Sequence, residues 1–248
     1  MKLAVAGKGG VGKSTVTALL SMYVGSTGRD VLAIDADPDM NLSSCLGVND
    51  DIVPLIEMED LIAERAGGGG LVKLNPSVSD IPDRFYEQAG DVKLMVFGTV
   101  WAGGAGCTCP ENAFLRELLA HLILERNEVV IVDMEAGIEH LGRGTGKGVD
   151  ALLTVVEPDR RSIKTRERIR DLAKDIGIET VLTVWNKVDG EEERDFLVET
   201  LDEQPLGIIP YSEGIRKRSR EGKKVPLSQG DLRKSVAEIW GGLRERYE

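Results

Sequence analysis

The chain has 248 residues, 42% of them hydrophobic and only 4% aromatic, with a net charge of −11. That is enough apolar material for one large domain or two small ones, and the composition suits an α/β protein better than an aromatic-rich sandwich. The acidic balance argues against a broad basic face for nucleic acid. Three cysteines are too few for a disulfide scaffold and fit a reducing compartment. No apolar run approaches the ~20 residues that span a bilayer, so a cytoplasmic protein without a stable membrane anchor is expected.

From the N-terminus, the apolar run over 3–6 stops at a Gly-Lys loop, which makes it a buried strand and not the core of a signal peptide. Gly7-x-x-x-x-Gly12-Lys13-Ser14 follows directly and matches the P-loop pattern of nucleoside triphosphate hydrolases in full. Its glycines let backbone N–H groups curl around phosphate oxygens, and the helix expected over 13–25 points its positive end at them. The expected nucleotide contacts are Gly7, Gly9, Gly10, Val11, Gly12, Lys13, Ser14 and Thr15. Lys13 would reach the β- and γ-phosphates, and the Ser14 hydroxyl would ligate Mg2+. Lys8 is either a solvated loop charge or a cation offered to phosphate across a dimer, as an arginine finger is offered in trans.

A second buried strand over 31–34 runs into Asp35-Ala36-Asp37-Pro38-Asp39. Carboxylates at the C-terminal end of a parallel strand sit on the ligand rim. Asp37 is the candidate for orienting the attacking water and belongs with Ser14 to the magnesium candidates. Asp35 or Asp39 could assist through the metal's water shell, although Asp39 reads better as the cap of a helix starting near Asn41. Cys45 reads as a helix residue packed inward. Residues 49–106 are taken as an irregular insertion on the ligand side, with a charged helix at about 54–66, a glycine run at 67–70, a short strand over 71–74 and a sheet strand over 92–97.

Cys107-Thr108-Cys109 precedes a helix over 111–126. Two thiols two residues apart, a glycine-rich approach and a helix N-terminus that lowers thiol pKa suit a soft metal. One chain supplies two thiolates, whereas a closed tetrahedral sulfur site for Zn2+ or Ni2+ takes four. The pair therefore predicts a dimer assembled around one bridging metal; the plain alternative is two loop thiols.

The strand over 129–132 ends at Asp133 in the manner of a Walker B strand, whose carboxylate holds Mg2+ directly or through water. The next residues stand where a γ-phosphate sensor would, so the Gly137 N–H could meet that phosphate. His140 is either a switch contact or a surface residue, and His121, inside the apolar run 118–124, is structural. Strands over 152–156, 181–184 and 206–209 alternate with helices over 160–176 and 190–201. Asn186-Lys187-Val188-Asp189 has the pattern by which GTPases read guanine, but the Asn186 amide can bond either purine, and Asp189 could cap the helix from 190. Pro210 and Tyr211 could wall the ring. The basic cluster Arg216, Lys217, Arg218, Arg220, Lys223 and Lys224 reads as a solvated helix face or loop rim. A terminal helix at about 231–247 carries the apolar stripe Leu232, Val236, Ile239, Trp240 and Leu243 opposite mixed charge, which suits packing better than a membrane surface. With no linker and no repeat, the whole reads as one P-loop domain over 1–248: a doubly wound, mainly parallel α/β sheet flanked by helices.

Lys8-Gly9-Gly10-Val11-Gly12-Lys13-Ser14-Thr15 resembles the deviant Walker A of the MinD and nitrogenase iron-protein class, with Lys8 as its signature lysine. Asp35-Ala36-Asp37-Pro38-Asp39 is similar to that class's switch I, and Asp133 onward to its switch II. Within the class, the segment from Asp133 to Gly144 and the Cys107-x-Cys109 pair resemble the CooC-type ATPases, which help insert nickel into carbon monoxide dehydrogenase. The resemblance runs to about Tyr211. It implies ATP/ADP with Mg2+, adenine in place of guanine at Asn186 and Lys187, and Lys8, Lys13 and Asp37 as the catalytic set. It also implies an ATP-dependent homodimer in which Lys8 reaches the partner's phosphates and four cysteines hold one Ni2+ or Zn2+. The client would be nickel-containing carbon monoxide dehydrogenase or the related acetyl-CoA synthase. The alternatives are a MinD-like positioning or partition switch and an iron-protein-like redox carrier. The Cys-x-Cys, standing where the iron protein has separated cluster cysteines, puts electron transfer in doubt.

Overall fold

Strands that are apolar at nearly every position must be covered on both faces, which asks for helices above and below a parallel sheet. A computed structural model of the protein describes residues 1–48, 51–67, 72–98, 109–135, 137–138, 141–228 and 230–248. Its strands are β1 (Lys2–Gly7), β2 (Val31–Ala36), β3 (Glu87–Ala89), β4 (Val92–Val96), β5 (Val129–Met134), β6 (Ala151–Val156), β7 (Val181–Val188) and β8 (Gly207–Pro210). They form one sheet in the order β3-β4-β2-β5-β1-β6-β7-β8, and only the β3–β4 pair is antiparallel. The helices are α1 (Lys13–Gly25), α2 (Leu42–Leu46), α3 (Glu59–Ala66), α4 (Ile81–Arg84), α5 (Pro110–Leu124), α6 (Gly142–Gly146), α7 (Arg160–Ile176), α8 (Gly190–Leu201), α9 (Glu213–Arg220) and α10 (Gly230–Tyr247).

The period-two alternation of a strand sorts the core. Leu3, Val5, Val31, Ala33, Val129 and Ile131 pack with α1, α2 and α10 on one face. Ala4, Ala6, Leu32, Ile34, Val130 and Val132 pack with α3, α5 and α7 on the other. The same parity decides where the strand-end acids point. Asp35 and Asp133 continue the α1-side rows and stand side by side in the β2–β5 register. The stripe of α10 is buried as expected, with Leu232, Val236, Ile239, Trp240 and Leu243 all at 3% exposure or less. Among the described residues no helix is long and apolar enough to cross a membrane.

Three expectations for 49–106 need correction. The sheet takes in 87–89 beside the expected strand, found at 92–96, so not all of the segment is an insertion. The helix expected over 54–66 is a 3-10 turn at Leu55–Glu57 followed by α3, and residues 72–74 of the expected strand 71–74 are not a strand. β3 escaped notice because Glu87-Gln88-Ala89 has no apolar alternation; a short, charged edge strand is built that way to resist further pairing. The C-terminal end of α1 meets the β3–β4 turn so closely that a Cβ on Gly25 would lie 2.8 Å from the Asp91 carbonyl oxygen. Overpacking against backbone costs about 1–3 kcal/mol. Gly25→Ala should lower the urea midpoint by that equivalent while leaving nucleotide affinity unchanged in a titration.

Candidate nucleotide-binding site

The P-loop turns from β1 into α1 through two left-handed glycines, Gly10 (φ 82°) and Gly12 (φ 96°), a region that residues with a Cβ avoid. The turn is closed by Val11 N–H donating to the Lys8 carbonyl at 3.2 Å and Val16 N–H to Gly12 at 2.9 Å. Asn186 and Lys187, expected to read the base, also brace this loop. Asn186 Nδ2 donates to the Val11 carbonyl at 2.7 Å, and Lys187 Nζ to the Gly10 carbonyl at 2.5 Å. A Cβ on Gly12 would collide with Asn186 Nδ2. Lys187 itself sits at φ 61°, at an irregularity in the β7–β8 register.

Beside the loop lies a nest of buried charge. Lys13 and Asp37 are both about 8% exposed, with Nζ 3.0 Å from Oδ2. Asp35 and Asp133 are fully buried. Burial pushes the Asp35 carboxyl up to about 7, although the N–H groups of Leu42 and Asp37, at 2.9 and 3.2 Å, oppose the shift. Asp133 is raised well above the usual carboxylate range by burial and then by the charge of Asp35, with the Ser14 hydroxyl pulling the other way. Thr17 Oγ1 lies 3.5 Å from its Oδ1, and Oδ2 has no hydrogen-bond partner among the described residues. Three carboxylates share one lysine here. An orphaned buried oxygen beside a serine hydroxyl suits a hard divalent cation such as Mg2+, which takes few carboxylates and fills its shell with phosphate oxygens and water.

The expected Asp39 cap is not made: the N-cap residue of α2, Asn41, makes no side-chain cap, and Asp35 accepts the Leu42 N–H instead. Asp39 donates its own N–H to Asp37 Oδ1 at 3.0 Å. The next residue, Met40, is held at φ 46°, a conformation that costs a bulky side chain energy and clusters at functional sites. Asp189 likewise makes no side-chain cap to α8; its N–H donates to Glu193 Oε2 at 2.7 Å. Cys45 is packed inward, and burial raises its thiol to about 11. His121 lies 2.9 Å from Glu125 on α5.

Lys8 Nζ lies 2.8 Å from Asp159 Oδ2 and 3.4 Å from Glu157 Oε1. Glu157 also takes Lys187 Nζ at 2.9 Å. A cavity of about 380 Å³ opens beyond the loop, lined by Gly10, Gly12, Thr15, Asn186, Pro210 and Tyr211. Its far wall, which the sequence reading missed, is α9, through Ile215, Arg216, Ser219 and Arg220. Ser212 Oγ accepts the Ile215 N–H at 3.3 Å and caps α9, so Ser212 followed by Glu213 was the available signal. Gly137 is half-buried after β5. Cys109 is the N-cap of α5, while Cys107 and His140 lie outside the described residues. Among the described residues no three His, Cys, Asp or Glu side chains are grouped as metal ligands.

Residues 2–225 match the CobQ/CobB/MinD/ParA nucleotide binding domain. The chain belongs to that family. It is a P-loop ATPase of the MinD/ParA class, and family membership implies ATP or ADP with Mg2+ as ligands. It is 43% identical over 231 residues to the carbon monoxide dehydrogenase accessory protein CooC of Rhodospirillum rubrum, covering 90% of this chain and 88% of the relative. It is also 43% identical over 235 residues to an uncharacterized ATP-binding protein of Methanocaldococcus jannaschii, covering 92% and 91%. The MinC:MinD cell division complex of Aquifex aeolicus contains a similarly folded chain, with a TM-score of 0.73, 20% identity and coverage of 100% and 97%.

The Asn186 amide and the buried acids generate two tests. Asn186→Ala removes the brace on Val11 and leaves a buried carbonyl unpaired, so ATP affinity measured by calorimetry should weaken by about tenfold. For Asp35, the folded pKa of about 7 lies above the unfolded value of about 4. The native state then binds more protons in that interval. Its contribution is fully present below pH ~4 and is lost as pH rises through ~7. Without nucleotide and Mg2+, melting temperature should fall across this window, and Asp35→Asn should flatten the slope.

Proposed function

We propose that the protein is an ATP-hydrolysing, dimerising metallochaperone that helps load nickel into carbon monoxide dehydrogenase or the related acetyl-CoA synthase. The observation that carries the reading is the 43% identity to a carbon monoxide dehydrogenase accessory protein over most of both chains. The paired thiols of the sequence support it: Cys109 stands at the N-terminus of α5, two residues after Cys107. Nickel is cargo in this scheme. Cys107 and Cys109 from each of two protomers supply the four thiolates that a tetrahedral site for Ni2+ or Zn2+ takes.

Hydrolysis rests on positioning and charge stabilisation. The backbone of Gly7, Gly9, Gly10, Val11 and Gly12 cradles the phosphates with Thr15, and Lys13 leaves Asp37 to meet the β- and γ-phosphates. That exchange frees Asp37 to orient the attacking water. Ser14, Asp133 and Asp37 would hold Mg2+, which would supply charge neutralisation to the phosphates. Gly137 offers its N–H to the γ-phosphate, and Asn186, Lys187, Pro210 and Tyr211 bound the adenine. Lys8 leaves Glu157 and Asp159 to reach the partner's phosphates. Its ion pairs are about 30% exposed on the lysine side, so their loss is a modest cost.

Metal content and mass measured with and without ATP and Ni2+ or Zn2+ test the scheme. One metal per dimer is expected in the wild type. The Cys107→Ala/Cys109→Ala variant should lose all of it while retaining ATP binding. Metal retained by that variant would end the cargo role.

A further inference from the structure

The basic cluster after Tyr211 is only partly taken up by the nucleotide site, through Arg216 and Arg220. Another part lines a second groove of about 430 Å³. Arg218, Lys224 and Arg233 stand exposed on this groove, and Val225 and Leu227 give it an apolar floor; Asp91 is its one acidic lining residue. Among the described residues neither Arg218 nor Lys224 has a salt-bridge partner, whereas the neighbouring Lys223 is taken by Glu221 at 2.9 Å. Arg233 lies over the Tyr23 ring at 5.2 Å, which holds its guanidinium at the rim. On a chain of net charge −11, three cations gathered around an apolar trough form a local inversion of the overall field. Such an inversion selects partners by complementarity and steers their approach.

The groove is also tied to the nucleotide-proximal loop. Val225 N–H donates to the Cys45 carbonyl at 2.9 Å, and a Cβ on Gly47 would lie 2.7 Å from Lys224 Cβ. Both contacts fall on α2 and its C-terminal cap, and the first residue of α2 is held by Asp35. α9 completes a second connection, with Arg216 and Arg220 on the base cavity and Arg218 on the groove.

We propose that this groove docks an acidic peptide segment bearing apolar side chains, presented by a partner protein, and that its occupancy is linked to the nucleotide site through α2. The apolar floor is what favours a peptide over a nucleic acid backbone. Phosphates would use the three cations and leave Val225 and Leu227 uncovered.

The test uses the full-length protein and two fluorescein-labelled probes, a peptide of alternating Glu and Leu and a thymidine oligonucleotide of equal charge. Anisotropy should show peptide binding that weakens with salt and falls at least tenfold in Arg218→Glu/Lys224→Glu. Leu227→Ser should weaken the peptide and leave the oligonucleotide unaffected. Basal ATP hydrolysis should be unchanged in these variants, and the peptide should alter the hydrolysis rate of the wild type but not of the double variant. Peptide affinity unchanged by charge reversal would overturn the docking site. An oligonucleotide that binds more tightly than the peptide and is lost in the same variant would overturn it in favour of nucleic acid. Binding with no effect on hydrolysis would overturn the linkage. Because basal hydrolysis is read separately, failure of the metallochaperone reading would not be mistaken for failure of this one.

Discussion

Three buried carboxylates around a single buried lysine set the terms for everything else in this molecule. Lys13 pairs directly with Asp37, while Asp35 and Asp133 stand side by side on neighbouring strands and feel the same lysine more weakly. Burying charge without a partner is expensive, so the fold holds an imbalance that added positive charge relieves and that a proton relieves in its absence. The sheet imposes this arrangement. Parity in β2 and β5 sends both side chains to the α1 side, where the helix that follows the P-loop also starts.

Around that centre the loops are tied to one another more than to solvent. Asn186 and Lys187 come from β7, four strands away from β2, yet both reach the P-loop backbone. Glu157 and Asp159, from the end of β6, gather Lys8 and Lys187. The C-terminal ends of β1, β2, β5, β6 and β7 therefore meet at one crevice, as open parallel sheets place their ligands. Met40 and Lys187, both at positive φ on opposite sides of it, show where the backbone is held away from its local preference.

The sequence made the frame and the phosphate loop legible because both depend on short-range rules. Buried parallel strands are apolar throughout, and the P-loop glycines are needed for their backbone conformation. What it could not decide were choices between equivalent groups. Asp35 and Asp39 are both able to meet the start of α2; strand parity turns Asp35 inward, and parity is invisible until the register is known. Asn186 could be assigned to the purine or to the loop with equal chemistry, since its amide serves either. The segment of α9 could be read only as a solvated helix face or a loop rim, because Glu-Gly-Ile-Arg-Lys-Arg-Ser-Arg has no apolar repeat to decide between them. β3 was missed for the same reason.

α9 buries none of its residues, although one face of it closes the cavity beyond the P-loop. A single exposed two-turn helix is marginal on its own, and such elements lie at the low end of local unfolding free energies. The two walls of the cavity therefore differ in kind: the sheet ends are anchored in the core, and α9 has no buried residue to anchor it. Where the proposed function puts a base in this cavity, the conformational entropy of one short basic helix, and not the strength of the core beneath it, would set how readily that base leaves.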